Sequence, residues 1–351
     1  MKKIAFLTPG IGVGGAERQL ALLAKGLKEK NYRPIIISLS SPNQVLPEFK
    51  KLETYTCPIQ KGSRFVASFL KLRQKLQNLE PEIIQGWMYA GNIFSSLCAI
   101  NLNNSSVFHS VRASNMDSKR YGLQIRVNSW LSHIANGVTI NSVSGVEFHQ
   151  KKGFAKEKLM FIPNGIDTEK FYINSELRKK TRRQLGFTPD EKIVLYVARI
   201  DPMKAHDKVL AAARQSPDIR FVLVGEGTQT LNGRPGNVSC LGVWEDMTGL
   251  YNAADLLVNI SNFGEGFPNV IGEAMACNLR VLTNDVGDSI NIIGNSGFVC
   301  DSTEAEAIAQ KMKAIFSSIE SSRELPSPRE KILSSFSVEA MIQAYTELYQ
   351  V

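Results

Sequence analysis

The chain has 351 residues, of which 43% are hydrophobic and 21% are charged. This length exceeds that of a typical single core and suits two domains of about 150–200 residues. The composition is ordinary for a globular protein. No apolar run approaches the roughly 18–20 residues that a membrane helix needs, so the sequence predicts no membrane-spanning segment.

The formal net charge of +8 is unevenly distributed along the chain. Residues 1–170 contain 23 Lys and Arg against 11 Asp and Glu, whereas the remainder contains 18 against 22. A basic first half predicts an anionic partner, namely a membrane face, a lipid phosphate or a nucleic acid. A nucleic-acid-binding protein would place its cations among exposed aromatic residues in a recognisable module, and the sequence contains none.

The cysteines and the N-terminus indicate the compartment. The five cysteines are scattered and form no C-x-x-C pair, which is typical of free thiols in a reducing compartment. The apolar stretch at the N-terminus ends at Pro9-Gly10, too early for the apolar core of a signal peptide. The sequence therefore predicts a first strand here and a cytoplasmic protein.

Apolar runs alternate with amphipathic segments throughout, a pattern typical of parallel sheets covered by helices on both faces. The clearest helix is Ala16–Lys30, with its leucines on one face. Strands are predicted in the first half at Lys3–Thr8, Pro34–Ser41, Glu82–Gly86, Val107–Val111, Val138–Asn141 and Leu159–Ile162. Strands are predicted in the second half at Ile193–Ala198, Arg220–Val224, Val238–Leu241, Asp255–Ile260, Arg280–Thr283 and Gly297–Cys300. The fold class is thus α/β, with domains at 1–168 and 169–336 and a terminal helix at 337–351.

Two carboxylates stand seven residues apart in Glu265-Gly-Phe-Pro-Asn-Val-Ile-Gly-Glu273. Glu265 follows a predicted buried strand, and Glu273 lies inside the predicted helix Val270–Cys277. Pro268 suits the first turn of that helix, whose free backbone N–H groups face the carboxyl end of the strand, where α/β proteins bind ligands. One carboxylate can meet the reacting end of a ligand while the other holds a more distant polyol.

Arg199 ends a predicted strand, and Lys204 follows at a helix start. Two cations beside free N–H groups suit a diphosphate leaving group. The chain contains no D-x-D triplet, the motif with which other enzymes hold a divalent metal against such a group. Fixed Arg and Lys side chains can replace the metal electrostatically, so we expect neither a metal nor a cofactor.

A glycine-rich turn, Gly10-Ile-Gly-Val-Gly-Gly15, follows the first strand and opens a helix. It matches G-x-G-x-x-G, but a dinucleotide site also needs a carboxylate at the end of the second strand, and Ile35–Ser41 offers none. A tight structural turn is a second interpretation. We favour a third, in which the bare backbone of Gly14 and Gly15 lets a phosphate approach.

These motifs, in this order, resemble glycosyltransferase family 4, the retaining enzymes with the GT-B fold, of the type that builds bacterial polysaccharides and glycans. The resemblance covers nearly the whole chain. Its segments are Gly14–Arg18, Gly86–Tyr89, Ser110–Arg112, Pro163–Asp167, Arg199 to Lys204, Val224–Gly227, Glu265 to Glu273, Asp285–Gly287 and Phe336–Met341. The chain departs from the family pattern at Ala90, where His is common in relatives.

The resemblance implies two Rossmann-like domains facing a central cleft, with the last helix crossing back to the first domain. The second domain would bind a nucleotide diphosphate sugar, through ribose contacts at Glu273, a diphosphate held by Arg199 and Lys204, and Glu265 beside the transferred sugar. The further donor-binding residues it implies are Gly14, Gly15, Gly225, Trp244, Gly266, Phe267, Pro268, Asn269 and Val270. Arg112 or His109 would contact the transferred sugar.

The first domain would bind the acceptor, a glycan or a lipid-linked glycan. Trp87 and Tyr89 follow a strand end and are either acceptor-side residues or core residues. The segment Lys61–Leu76 combines cations with apolar residues at helical spacing, so it is either a packed helix with a basic rim or a face that rests on an anionic membrane. The alternative function is a nucleotide-sugar epimerase or hydrolase on the same fold.

Overall fold

The computed structural model describes residues 1–12, 14–100, 102, 105–112, 118–320 and 325–350. The chain forms two compact units. The first unit comprises Met1–Gly165 together with Val338–Val351, and the second comprises Ile166–Ser337. The sequence placed these boundaries at 168 and 336. The terminal helix belongs to the first unit, as the family resemblance implied.

The first unit is built on a parallel sheet of seven strands. The strands are β1 Lys2–Thr8, β2 Tyr32–Ser38, β3 Glu53–Thr56, β4 Ile83–Gly86, β5 Ser106–Val111, β6 Gly137–Ile140 and β7 Leu159–Phe161. Their order is β3-β2-β1-β4-β5-β6-β7. The helices are α1 Gly15–Glu29, α2 Phe65–Leu79, α3 Met88–Ala99, α4 Ser118–Ser132, α5 Val143–Lys151 and the terminal α13 Val338–Leu348. Short 3₁₀ turns lie at Pro47–Lys51, Gly62–Arg64 and Lys156–Lys158.

The second unit repeats this architecture with six parallel strands. These are β8 Lys192–Val197, β9 Ile219–Val224, β10 Val238–Gly242, β11 Leu256–Asn259, β12 Val281–Thr283 and β13 Phe298–Val299, in the order β10-β9-β8-β11-β12-β13. The helices are α6 Ser175–Gln184, α7 His206–Arg214, α8 Met247–Ala253, α9 Asn269–Ala276, α10 Ser289–Ile293, α11 Ala305–Glu320 and α12 Pro328–Ser335. A 3₁₀ turn lies at Thr228–Thr230.

Both sheets are covered on two faces, which explains why their strands are continuous apolar runs. In β1, Ile4 and Phe6 pack in the cluster that contains residues of α1 and α13. Ala5 and Leu7 point the other way, into the cluster that contains residues of α2 and α3. The α/β class is therefore confirmed. Each strand predicted from the sequence is present, with its ends shifted by a few residues.

Strand β3 was not predicted from the sequence. It is an edge strand with the sequence Glu-Thr-Tyr-Thr, and its residues are half-buried or exposed. An edge strand of this kind lacks the apolar run by which buried strands are recognised. No helix among the described residues is both long enough and apolar enough to cross a bilayer.

The packing of α3 against β1 depends on Gly91, because a Cβ there would lie 2.1 Å from the backbone oxygen of Leu7. Gly122 lies inside α4 with open space where its Cβ would be, and so provides a matched control. We expect Gly91→Ala to destabilise the protein by ~1–3 kcal/mol through overpacking. Gly122→Ala should stabilise it by ~0.5–1 kcal/mol, since Ala loses less entropy than Gly in a helix.

Thermal unfolding of the two variants measures this difference. For units of this size, 1 kcal/mol shifts the melting temperature by about 2–4 °C. Equal shifts for the two variants would contradict close packing of α3 on β1.

Candidate active site

The loop between β11 and α9 holds Glu265 at the carboxyl edge of the second sheet. Only 8% of Glu265 is exposed. The Ser261 hydroxyl donates to Glu265 Oε1 at 2.6 Å, and Lys204 Nζ forms an ion pair with the same oxygen. We call these three residues the Glu265 cluster. A carboxylate this deeply buried is stable when a cation and hydrogen bonds compensate for its lost hydration, and the cluster supplies both.

The backbone of this loop is fixed by the segment that follows β12. Asn284 accepts from the backbone N–H of Ser261 at 3.1 Å and donates to its carbonyl at 2.8 Å. Gly287 has φ of 65°, and a Cβ there would lie 2.5 Å from the Glu265 carbonyl oxygen. The backbone N–H of Asp288 donates to the Gly266 carbonyl at 2.9 Å. The motif Asp285–Gly287 therefore helps to fix the position of the Glu265 loop through close backbone contact.

Glu273 lies in the second turn of α9 and is half-buried. The Tyr251 hydroxyl donates to Glu273 Oε2 at 2.8 Å. Helix α9 begins after Pro268, which provides no side-chain cap, and its N-terminal end lies in the loop that carries Glu265, the end of a helix at which anions and hydroxyl groups commonly bind. Asn269 is the first residue of α9, Val270 follows it, and both are half-buried.

Arg199 and Lys204 lie on the segment after β8, and each contacts a carboxylate. Arg199 Nη2 pairs with Asp201 Oδ2 at 2.9 Å, and 66% of the Arg199 side chain is exposed. The backbone N–H of Met203 and the Arg199 guanidinium lower the pKa of Asp201. Lys204 instead belongs to the Glu265 cluster. The two cations, which the sequence assigned one role, thus have different partners.

The remaining predicted donor residues of the second unit lie near the same strand ends. Gly225 follows β9 with φ of 142°, and a Cβ there would lie 2.2 Å from the Ala198 carbonyl oxygen. Phe267 is buried, with its ring edge-on to Phe336 at 5.4 Å. Trp244 is half-buried and packs against the core of the unit.

In the first unit, Gly14 and Gly15 lie at the start of α1, just beyond the carboxyl end of β1. Gly14 is the N-cap and provides no side-chain cap. The Glu17 carboxylate lies over this turn, since a Cβ on Gly14 would be 2.2 Å from its Oε2. Burial raises the pKa of Glu17. A phosphate binding here has to displace this carboxylate or meet it in its protonated form.

Arg112 follows β5 and is held by neutral groups. Its Nη1 donates to Asn164 Oδ1 at 2.9 Å, and its Nη2 donates to the Tyr345 hydroxyl at 2.7 Å. The guanidinium carbon lies 4.0 Å from the centre of the Trp87 ring. Burial lowers the pKa of Arg112. Among the described residues no carboxylate pairs with it, so this cation can serve a ligand.

His109 is fully buried, which corrects its assignment as a contact to the transferred sugar. It lies inside β5, where its Nε2 is 2.7 Å from the Ser96 hydroxyl. Burial lowers its pKa to about 3, so the ring is neutral at physiological pH. Of the two residues that the sequence left open, only Arg112 is not fully buried, and its contact with the transferred sugar stays a prediction.

Trp87 and Tyr89 are core residues in the structure, which agrees with the second of the two interpretations that the sequence left open. Met88 between them has φ of 63°, and this turn leaves Trp87 wholly buried with Nε1 donating to the Ala16 carbonyl at 3.1 Å. Tyr89 is 7% exposed, and its hydroxyl lies 2.6 Å from His149 Nε2. Neither side chain is accessible to an acceptor.

Sequence reasoning missed five residues that position the candidate groups: Asn164, Tyr251, Ser261, Asn284 and Tyr345. Three of them carried a usable signal: Asn164 lies in the family segment Pro163–Asp167, and Ser261 and Asn284 directly follow predicted strands and so lie at the same sheet edge as Glu265. The other contacts form only through tertiary packing.

The fold is similar to that of several solved structures. Alr3699/HepE from Anabaena in complex with UDP matches with a TM-score of 0.86 and 22% identity over 100% of both chains. The same protein in complex with UDP-glucose matches with a TM-score of 0.84 and 20% identity, again over 100% of both chains. Sucrose-phosphate synthase from Thermosynechococcus elongatus matches with a TM-score of 0.80 and 20% identity, over 100% of this chain and 98% of the other. At these identities the likeness establishes a shared GT-B fold.

Two curated relatives share part of the sequence. D-inositol 3-phosphate glycosyltransferase of Mycobacterium ulcerans (strain Agy99) is 34% identical over 138 residues, which are 35% of this chain and 29% of the relative. Its counterpart in Mycobacterium marinum (strain ATCC BAA-535 / M) is 33% identical over 138 residues, with the same coverage. The match spans under a third of the length of these relatives.

Two family models match successive parts of the chain. The model described as Glycosyltransferase Family 4 matches residues 13–170, and the model described as Glycosyl transferases group 1 matches residues 178–327. The first match lies almost wholly within the first unit, and the second lies within the second unit. The chain belongs to glycosyltransferase family 4.

Proposed function

We propose that this protein is a retaining, metal-independent glycosyltransferase. It transfers a hexose-type residue from a nucleotide diphosphate sugar, with a UDP-sugar favoured, to a glycan or lipid-linked glycan. The Glu265 cluster carries this proposal, because it places a compensated carboxylate at the carboxyl edge of a parallel sheet in a family-4 chain. HepE of Anabaena binds UDP-glucose, which makes UDP-glucose the first donor to test.

In this proposal the second unit binds the donor. Glu273 accepts hydrogen bonds from the ribose hydroxyls, and Tyr251 keeps its carboxylate oriented. Arg199 releases Asp201 and binds the diphosphate in its place. The high exposure of the Arg199 side chain allows this exchange. Backbone N–H groups of Gly266 and Phe267, in the loop before α9, and of Asn269, its first residue, bind the sugar hydroxyls.

The chemistry proceeds through a transition state that resembles an oxocarbenium ion. The bond from the anomeric carbon to the diphosphate oxygen breaks, and Lys204 stabilises the charge that develops on the leaving group. Glu265 orients the sugar, and its carboxylate lies beside the positive charge that develops on the sugar ring. The departing phosphate oxygen accepts the proton of the acceptor hydroxyl as that hydroxyl bonds to the anomeric carbon on the same face, so the configuration is retained.

The first unit binds the acceptor and rests on an anionic membrane surface. Its charge supports this, with 23 Lys and Arg against 11 Asp and Glu in residues 1–170. Two of its helices also expose large apolar side chains. Helix α2 exposes Phe65, Val66 and Leu70, whereas α4 exposes Leu123 and, most notably, Trp130, of which 72% is exposed. Aromatic and apolar side chains with nearby cations suit the headgroup region of a bilayer.

The first prediction concerns metal independence. Release of UDP from UDP-glucose should persist in excess EDTA. Arg199→Ala and Lys204→Ala should each lower the rate by on the order of 10²–10³-fold, the typical effect of removing a preorganised charge. Lys204→Ala should be the more severe, since it also leaves Glu265 without its cation. Lys180→Ala, an exposed lysine on α6, is the control. Loss of activity on chelation, restored by Mg²⁺ or Mn²⁺, contradicts the proposal.

The second prediction separates the two glutamates. Glu273→Gln should weaken UDP binding, measured by calorimetry, because the carboxylate that receives the ribose is lost. Glu265→Gln should lower kcat while UDP affinity stays within a few-fold. Glu304→Gln, at an exposed position of the same unit outside the candidate site, should change neither quantity. Equally poor UDP binding by both active-site variants would refute the division of roles.

The third prediction concerns the membrane. Binding to liposomes should rise with anionic lipid content and fall as salt shortens the Debye length from about 30 Å at 0.01 M to about 8 Å at 0.15 M. Trp130→Ser should weaken it, whereas Val243→Ser, an exposed apolar position in the second unit, should not. If the protein does not bind anionic liposomes at low salt, the proposed membrane association is wrong and a soluble acceptor is favoured.

A further inference from the structure

A cavity of about 630 Å³ lies at the carboxyl edge of the first sheet. Pro9 directly follows β1, Leu39 directly follows β2, and Ala90 lies in the first turn of α3, which follows β4. Ligands of open parallel sheets bind at this edge. The cavity therefore occupies the place in the first unit that the Glu265 cluster occupies in the second.

The lining of this cavity is mostly apolar. Pro9, Leu39, Ile59, Phe65 and Phe94 form most of it. Its polar side chains are those of Gln60 and Lys61. The many hydroxyl groups of a free glycan would lose hydrogen bonds to water against these walls and find few partners there, whereas a hydrocarbon chain loses none. The ammonium group of Lys61 suits one anion at the rim.

Cations continue on the side of the cavity formed by α2. A neighbouring depression of about 270 Å³ shares Gln60 and is lined by Arg64 and Lys71. Lys61, Arg64 and Lys71 are all exposed. This arrangement of apolar walls with cations along one border is complementary to an amphiphile that carries a phosphate.

An apolar strip leads from the cavity along α2. Phe65, which lines the cavity, is 41% exposed, and beyond it Val66 and Leu70 are 62% and 56% exposed. The Phe65 ring stacks on Phe69 at 6.4 Å and lies 6.3 Å from Phe94. Leu72 and Leu76 on the inner face of α2 are buried. The outer face of α2 is thus apolar in its first two turns, at Phe65, Val66 and Leu70, although packing on the sheet does not require it.

We propose that this cavity and the outer face of α2 bind an acceptor that consists of a phosphate or diphosphate on a long apolar chain. The chain lies along Phe65, Val66 and Leu70, and the anion meets Lys61. This inference rests on the proposed function, because it specifies the acceptor of the same transfer reaction. It narrows the choice between a glycan and a lipid-linked glycan to the lipid-linked class.

Binding of dodecyl phosphate to the full chain, measured by calorimetry below the micellar concentration, tests the proposal. Dodecyl phosphate should bind, dodecyl maltoside should bind more weakly because it lacks the anion, and inorganic phosphate should not bind measurably. Phe65→Ser and Lys61→Gln should each weaken dodecyl phosphate binding about tenfold or more, a change equivalent to ~1.4 kcal/mol. Both side chains are exposed, so these variants should fold.

Two matched variants provide the controls. Ile173→Ser removes an exposed apolar side chain of the second unit, and Lys28→Gln removes an exposed lysine of α1; neither should alter the binding. Inorganic phosphate binding as tightly as dodecyl phosphate would overturn the proposal, as would full affinity in Phe65→Ser. UDP binding, measured in the same samples, reports on the donor site separately. Its absence would contradict the proposed function, whereas loss of amphiphile binding alone contradicts only this inference.

Discussion

The ion pair between Glu265 and Lys204 is the constraint on which the arrangement of the second unit depends. A buried carboxylate without a cation is costly, and removing one partner of a buried pair costs about 3–5 kcal/mol; the partial exposure of Lys204 places this pair at the low end. The pair ties the segment after β8 to the loop after β11, and Asn284 ties that loop to the segment after β12. Three strand ends are therefore fixed around one carboxylate.

The sequence predicted the fold well because both sheets are parallel and buried. Strands covered on two faces are continuous apolar runs that need no knowledge of partners. The failure at β3 has the opposite cause: an edge strand with Glu53 and Thr56 in it is stabilised by pairing with β2, which leaves little trace in composition. The terminal helix was placed by family resemblance, since nothing in its own pattern specifies its packing on α1.

The sequence predicted which acidic and basic residues form the candidate site, but not which residues they contact. Glu265 was located by the strand before it and Glu273 by the helix that contains it, and both lie where those elements place them. That Arg199 and Lys204 have different carboxylate partners depends on the loop conformation, which the sequence does not reveal. Trp87 and Tyr89 were left as either acceptor-side or core residues because the sequence does not reveal the left-handed turn at Met88, and in the structure both side chains are buried.

The central claim is that Lys204 and Glu265 act as one unit in donor chemistry, and a double-mutant cycle tests it most directly. The measured quantity is the turnover of UDP-glucose by the wild type, Lys204→Ala, Glu265→Gln and the double variant. Residues that act as a unit are not additive, so the double variant should be no slower than the slower single variant. If the two rate losses multiply in the double variant, the groups act independently and the account is contradicted.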